Sequence, residues 1–502
     1  MSQNLQNTFF IDDNLNVMSR IPSNSIDLIA TDPPFNTAKF RQTKKTKYSD
    51  IWTMGEVFAG LLESKLQDSV IEETKKLQLQ TLLQLMGDKK SAERTFVVFM
   101  MLRALEMHRV LKDQASLYWQ CDPTMSHALK LMLDIIFGKE NFINEIVWAY
   151  KSGGASDKYF SKKHDTILFY AKSKNYIFNI YKEKSYNRGY KRYGFKDVKE
   201  YQDKCGWYTL VNQKDVLNID MVGRTSGERV GYPTQKPLKL FEAFIRASAN
   251  KNAIVLDPFC GCATTCVAVL RLNEEQGFNR KFMGIDVNAT AMRAMQYRLD
   301  HEIKQGSINE TASNDVHYIV NKQLLVDSIT DINNLIRKTT DKINALGKKP
   351  KLHVASISKK DKDIFKKFED LESDLSRLQT DRDFLQKQLT VGYTSTIDYL
   401  GEIKTPHLKE EVELNSVQKG AWKSEQLEKH RIQGNKYNCK GYDYRGRQIR
   451  CRTKLKTGSY PLATTKNIEI DRIIPATMGG KYTKSNIQAI CNECNADKSS
   501  KY

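Results

Sequence analysis

An α/β domain, then a helical segment, then a small basic terminal domain is the architecture that three observations predict. Short apolar runs, each ending at an Asp before Pro, Gly or a helix-like stretch, alternate with amphipathic segments from residue 8 to about 300. Gly and aromatic residues thin out between about 322 and 425, where charged helical sequence takes over. Residues 431–502 then carry 15 Lys/Arg against 5 Asp/Glu, half of the net +20 of the whole chain. At 502 residues there is room for several domains of ~100–200 residues and a full core, which excludes a disulfide-held miniprotein.

Taken in order, Ile26–Ala30 is the first clear strand, closed by a Pro pair. Leu61–Met86, with apolar residues repeating at three and four, predicts an amphipathic helix inserted into the first half, its apolar face serving packing. Ile254–Leu256 and Phe282–Ile285 are two further strands, and Cys266–Leu272 between them is helical. Phe368, Leu371, Leu375, Leu378, Leu385 and Leu389 occupy a/d positions, with Arg382 interrupting the seam. Three heptads leave a coiled-coil dimer and an intramolecular spacer both open. The boundaries expected are 1–325 for the α/β domain, 326–428 for a helical spacer and 429–502 for the terminal domain.

The charge points to a partner. A net +20 with a pI near 9.3 favours a polyanion, nucleic acid first. Besides the tail, residues 151–230 hold 17 Lys/Arg against 9 Asp/Glu and 14 of the 49 aromatics, including Tyr176, Tyr181, Tyr186, Tyr190, Tyr193, Trp207 and Tyr208. Cations interleaved with flat rings suit a nucleic-acid groove. No window approaches the ~18 uninterrupted apolar residues of a membrane span, so a soluble chain without a membrane partner is expected. The start lacks a cationic region followed by an apolar one, and nine cysteines is an odd number without even spacing. A reducing cytoplasm fits best.

Two motifs carry chemistry. Thr31-Asp32-Pro33-Pro34-Phe35-Asn36-Thr37 follows the first strand directly. Its prolines lock φ and remove two donors, leaving the Asp32 carboxylate and the loop carbonyls free to accept. Such a loop wants an amino group: a flipped base would donate its exocyclic NH2 to Asp32 and the Pro33 carbonyl, with Phe35 against the ring. The second motif, Val255-Leu256-Asp257-Pro258-Phe259-Cys260-Gly261-Cys262-Ala263-Thr264-Thr265, is a strand, a small-residue turn and a helix start. It has the form of a nucleotide-binding turn and is a Rossmann-like signal. Gly284-Ile285-Asp286-Val287 then puts an acid at the end of the next strand, placed for ribose hydroxyls.

Together, and in this order, the motifs resemble the β-class site-specific DNA aminomethyltransferases, which use S-adenosylmethionine to modify adenine N6 or cytosine N4. Tyr232-Pro233-Thr234-Gln235-Lys236-Pro237-Leu238 looks like the family segment that wraps the methionine end of the cofactor, and Asp13 stands in the place of the acid expected near its adenine. Leu105–Asp122, Asn141–Tyr150 and His164–Tyr170 continue the resemblance, which covers roughly residues 8–300. It implies a Rossmann-like methyltransferase domain with target recognition at about 175–230. The implied catalytic loop is Asp32, Pro33, Pro34 and Phe35. The implied cofactor site is Asp13, Thr234, Gln235, Lys236, Asp257, Phe259, Gly261, Thr264 and Asp286. In two places the chain departs from the family pattern. Ala263 replaces a glycine, adding a methyl beside the cofactor if φ there stays negative, and Asp12 replaces the usual glycine before Asp13.

Methyl transfer to an exocyclic nitrogen needs no enzyme nucleophile, only in-line approach and a lone pair turned out of conjugation. Asp32 orients the amino group and stabilises the positive charge that develops on it. The Pro-Cys dipeptide of cytosine-C5 enzymes is absent. Asp at the head of the loop favours adenine N6 by the family tendency, with cytosine N4 as the alternative.

In the tail, Cys491-Asn-Glu-Cys494 has metal-knuckle spacing. Glu469-Ile-Asp471-Arg472 through Gly479-Gly480, Asn486 and Asn495 resembles HNH nucleases, whose ββα-metal finger implies a structural zinc on Cys439, Cys491 and Cys494, with Cys451 an open fourth ligand. Arg472 stands where the family has its general-base His, and no histidine follows His430. A guanidinium cannot take a proton from water at neutral pH. The tail therefore reads as a degenerate nuclease that binds DNA.

The leading expectation is thus an adenine-N6 methyltransferase acting on double-stranded DNA in a restriction-modification or epigenetic system. A bifunctional methyltransferase and HNH endonuclease, and a non-catalytic DNA binder, are the competing readings. A homodimer and a cognate restriction nuclease stay open as partners.

Overall fold

The computed structural model describes residues 7–35, 60–62, 65–66, 71–87, 91–151, 155–223, 226–232, 234–347, 359–394 and 399–400, residue 439, and short strands between 431 and 491. The chain divides into two compact units, one of residues 1–35, 42–46 and 104–404, the other of residues 36–41, 47–103 and 405–502.

The first unit is built on a mixed sheet. Its strands are β1 (Thr8–Ile11), β2 (Ile26–Thr31), β3 (Leu111–Cys121), β4 (Phe142–Ala149) and β5 (His164–Ala171). β6 (Lys182–Tyr186), β7 (Glu200–Asp203) and β8 (Gly206–Asn212) form a separate small sheet in the order β6-β8-β7. β9 (Val216–Asn218), β10 (Ile254–Asp257), β11 (Lys281–Asp286) and β12 (His317–Val320) complete the large one. Its nine strands run β12-β1-β11-β10-β2-β3-β5-β4-β9. From β12 to β3 every neighbouring pair is parallel, and β5 runs against both β3 and β4. The α/β expectation holds, and the three predicted strands are present, each longer by a residue or more.

The parallel strands are buried on both faces, which is why they read as continuous apolar runs. One face packs Phe9, Leu28, Ala30, Tyr118 and Val255 against the helices Leu238–Ser248, Thr264–Gln276 and Thr290–Lys304. Tyr118 is stacked between Phe169 and Phe244, with ring centroids 4.3 Å and 4.6 Å away, and its hydroxyl lies 2.8 Å from Ser248 Oγ.

The segment expected as a spacer from residue 326 does not stand apart. Leu325, Ile329 and Ile332 of the helix Lys322–Ala345, and Leu378 and Leu385 of the helix Lys359–Leu389, belong to the same core cluster. Arg293 pairs with Asp381, and Val320 N donates to Thr394 O at 3.1 Å. Leu378 and Leu385 of the short heptad run are therefore covered from within the chain. Charged helical sequence looks autonomous in one dimension because its single apolar stripe does not say what covers it.

In the second unit the helix expected over Leu61–Met86 is Glu73–Leu85, with residues 60–62 and 65–66 in helical conformation before it. Among its described residues the tail has three antiparallel strand pairs: Arg431–Ile432 with Lys436–Tyr437, Tyr442–Tyr444 with Arg447–Ile449, and Ile468–Arg472 with Ile487–Cys491. No described helix is long and apolar enough to cross a membrane.

Candidate active site

Parallel strands end together, and here the ends carry acids. Asp12 follows β1, Asp32 follows β2, Asp257 closes β10 and Asp286 closes β11, on four neighbouring strands in the order β1-β11-β10-β2. The carboxyl edge of such a sheet is where ligands bind in open α/β folds.

Asp257 is fully buried and braces the two motifs against each other. It accepts from Thr31 Oγ1 at 2.7 Å, from Thr265 Oγ1 at 2.5 Å and from Phe259 N at 3.1 Å. Burial pushes its carboxyl up to about 7 against those hydrogen bonds. Asp286 accepts Gly261 N and Asn288 N, both at 2.7 Å, and burial raises it to about 6. Asn14 Nδ2 donates to Pro258 O at 2.8 Å, and Cys260 N to Ile285 O at 2.9 Å. The cofactor turn is thereby tied to its neighbours on both sides.

The turn itself departs from expectation at Ala263. Its φ is +61°, the left-handed region, where a Cβ meets the following carbonyl oxygen, so the earlier condition of a negative φ is not met. Alanine in place of glycine therefore carries backbone strain of ~1–2 kcal/mol, held by the helix Thr264–Gln276 that begins at the next residue. Gly261 also lies at positive φ, +51°, and a Cβ there would approach the Tyr232 ring at 3.4 Å.

Asp32 forms an ion pair with Lys236, whose Nζ lies 5.2 Å from the centroid of the Phe35 ring. Pro33 is buried, Pro34 and Phe35 half-buried. Lys236 thus links the segment before the cofactor turn to the Asp-Pro-Pro-Phe loop. Thr234 in that segment has φ +62°. Gln235 stands as a brace: its Nε2 donates to Glu228 O at 2.6 Å and its Oε1 accepts Val230 N at 2.9 Å. Asp13 is exposed and caps the helix Asn14–Met18, accepting Leu15 N at 2.8 Å. The neighbouring Asp12 is the buried acid: its amide N donates to Asp286 O at 3.1 Å, and its Oδ1 accepts from Asn321 Nδ2 at 3.1 Å.

Sequence reasoning missed Arg298 and Glu228. Arg298 is 2% exposed and donates to Thr264 Oγ1 at 2.8 Å, to Cys262 O at 3.3 Å and to Glu228 Oε1 at 3.2 Å. Glu228 in turn accepts Leu238 N at 2.8 Å, and Thr264 Oγ1 donates to Lys236 O at 3.4 Å. One signal was available: Arg298 falls on the stripe Ala291, Met292, Met295 and Leu299, where a cation must have a buried partner. Glu228, in a loop, carried none.

Of the cysteines in the tail, Cys439 is buried, Cys491 ends a strand, and Cys451 and Cys494 lie outside the described residues. Among the described residues no cluster of His, Cys, Asp or Glu could hold a metal ion.

A parallel sheet with a glycine-containing turn, an acid at the end of the next strand and an Asp-Pro-Pro-aromatic loop one strand away is the arrangement of a nucleotide-cofactor α/β enzyme fold. Residues 26–297, more than half of the chain, match the family described as DNA methylase, and the chain belongs to that family. Residues 462–502 match a second family model, described as HNH endonuclease. Among curated proteins, the Type II methyltransferase M.BglII of Bacillus subtilis is 26% identical over 296 residues, 56% of this chain and 65% of that one. The DNA adenine methyltransferase YhdJ of Escherichia coli is 27% identical over 57% of this chain and 81% of its own length. Among solved structures, the cytosine-N4-specific PvuII DNA methyltransferase aligns at 15% identity with a TM-score of 0.37, over 63% of this chain and 95% of that one.

Proposed function

We propose that this chain is an S-adenosylmethionine-dependent methyltransferase of double-stranded DNA that modifies the N6 amino group of adenine. The observation that carries the reading is the placement of Asp32 at the carboxyl end of β2, beside β10 and its cofactor turn, with both motifs braced on Asp257.

The residues at the strand ends fit the cofactor. Asp286 keeps acceptor capacity for ribose hydroxyls beyond its two backbone donors, Gly261 leaves the turn without a side chain, and the Thr234–Lys236 segment is held rigid by Glu228 and Arg298. Asp13, exposed next to the buried Asp12, is the residue proposed for the adenine end. When bound, S-adenosylmethionine supplies an electrophilic methyl group. Asp32 accepts an amino hydrogen and holds the nitrogen lone pair toward that methyl, Pro33 offers its carbonyl, and Phe35 covers the base. The small sheet β6-β8-β7 supports the assignment of residues 175–230 to target recognition: Lys184 lies over the Tyr208 ring at 4.6 Å, Lys199 over Tyr201 at 5.4 Å and Arg192 over Trp207 at 5.3 Å.

The tail is proposed as a DNA-binding module with a structural zinc on Cys439, Cys491 and Cys494, and the expected boundary near 429 is kept for it. Arg472 in place of a general base argues against hydrolysis. Nucleoside mass spectrometry on mixed-sequence DNA, incubated with the protein and isotopically labelled S-adenosylmethionine, tests the reading. Label on N6-methyladenine supports it, label on N4-methylcytosine moves the base, and no label refutes it.

A further inference from the structure

Beside Asp32, on the neighbouring strand, lies a polar cluster that neither motif uses. β2 and β3 pair with Ala30 opposite Tyr118 and Thr31 opposite Trp119. Continued one residue past the end of β2, the same register sets Gln120 opposite Asp32, and the pleat puts Gln120 on the face shared by Ala30 and Tyr118. β3 and β5 pair with Gln120 opposite Ile167 and Cys121 opposite Thr166, which brings Asp165 to the same end. Gln120 is 1% exposed. Its Nε2 donates to Asp165 Oδ2 at 3.0 Å, while Tyr150 OH donates to Asp165 Oδ1 at 3.4 Å. Its Oε1 is buried and has no hydrogen-bond partner among the described residues.

A buried amide oxygen without a donor costs ~1–3 kcal/mol, and such groups are retained where something else fills them. Asp165 decides which end of the amide is left over. A carboxylate only accepts, so it takes the NH2 end and turns Oε1 away from itself.

We propose that Gln120, oriented by Asp165, is a specificity-determining residue of the target-base pocket, its Oε1 accepting the exocyclic amino hydrogen that points away from Asp32 and joining the Pro33 carbonyl on it. This rests on Asp32 being the catalytic acid. An amino group carries two N–H donors, and acceptors on adjacent strands match both. Guanine and thymine present a carbonyl oxygen at that position, which would be set against Asp32 and Gln120 alike. The pair selects amino-bearing bases by electrostatics, leaving purine and pyrimidine to be told apart by size.

The test uses the full chain and the site at which it methylates plasmid DNA, mapped by long-read sequencing. Duplexes carrying that site are compared with duplexes whose target base lacks the amino group, purine for adenine or 2-pyrimidinone for cytosine, with S-adenosylhomocysteine present to prevent turnover. The wild type binds the amino-bearing duplex more tightly, and Gln120→Leu loses on the order of tenfold of that preference and 10- to 100-fold in kcat. Its affinity for S-adenosylmethionine stays within about twofold, because the cofactor turn is untouched. Unchanged preference and kcat in Gln120→Leu overturn the proposal while leaving Asp32 in place. Should that variant fail to fold, Asp165→Asn, which loosens the amide without removing it, is read by the same split: lowered kcat at unchanged cofactor affinity supports the proposal, unchanged kcat overturns it. A wild type that methylates no DNA overturns both this proposal and the reading beneath it.

Discussion

Replacing Arg298 by methionine keeps the apolar stem and deletes the guanidinium that ties the cofactor turn to the segment before it. Four contacts go: Thr264 Oγ1 at 2.8 Å, Cys262 O at 3.3 Å, Cys262 Sγ at 3.5 Å and Glu228 Oε1 at 3.2 Å. Removing one partner of a buried pair costs about 3–5 kcal/mol, mostly because the other charge is stranded. Glu228 is 24% exposed at the side chain and keeps the Leu238 amide as donor, so it is partly rehydrated. The lower figure, about 3 kcal/mol, therefore applies. In a unit of this size that corresponds to a drop of roughly 4 °C in the melting temperature, read by differential scanning calorimetry. Cofactor affinity, read by titration calorimetry, falls with it, since Thr264 and Lys236 O lose their anchor. Glu228→Gln, which keeps an acceptor for Leu238 N but strands the buried Arg298 guanidinium, costs at least as much. A methionine or a glutamine variant that melts within 1 °C of the wild type refutes the reasoning.

The other expectations follow from the same strand ends. Asp32→Ala abolishes methyl transfer in a labelled-cofactor assay while leaving DNA affinity in a gel-shift assay; full activity would remove Asp32 from the chemistry. Asp286→Asn weakens S-adenosylmethionine binding by on the order of tenfold, because an amide offers its ribose partner one acceptor where the carboxylate offers two. Asp257 and Asp286 are raised to about 7 and about 6 in the folded chain, against ~3.9 unfolded. Between those values the folded state binds more protons, so this contribution to stability is full below about pH 4 and is lost as pH rises from there toward 7. Urea titrations at pH 5.5 and 7.5 should show this, and Asp257→Asn should flatten the difference. Supercoiled plasmid incubated with the full chain and Mg2+ or Mn2+ should remain intact, and nicking lost on trimming residues 430–502 would show instead that the tail hydrolyses DNA without a histidine base.

The motifs were legible because their chemistry is local. Asp32-Pro33-Pro34-Phe35 is stiff by its own prolines, and the Asp257–Thr265 turn needs small residues in succession, so both could be read without knowing what lay beside them. Ala263 was legible as a departure but not as strained, since φ is set by where the helix Thr264–Gln276 must begin and not by the alanine. The helices Lys322–Ala345 and Lys359–Leu389 were legible as helices, while their burial against the methylase core was not.

By itself the sequence determined the fold class, the order of the motifs and the acids that end the strands, because hydrophobic period and backbone restriction act over a few residues. Tertiary structure alone decided which groups meet: that Lys236 reaches Asp32, that Arg298 holds Thr264 and Glu228 together, and that Gln120 near the end of β3 reaches Asp165 while its oxygen has no partner among the described residues. Those partners lie tens to hundreds of residues apart. Sheet order brought them together, and strand pairing across such distances is set by how the whole core packs.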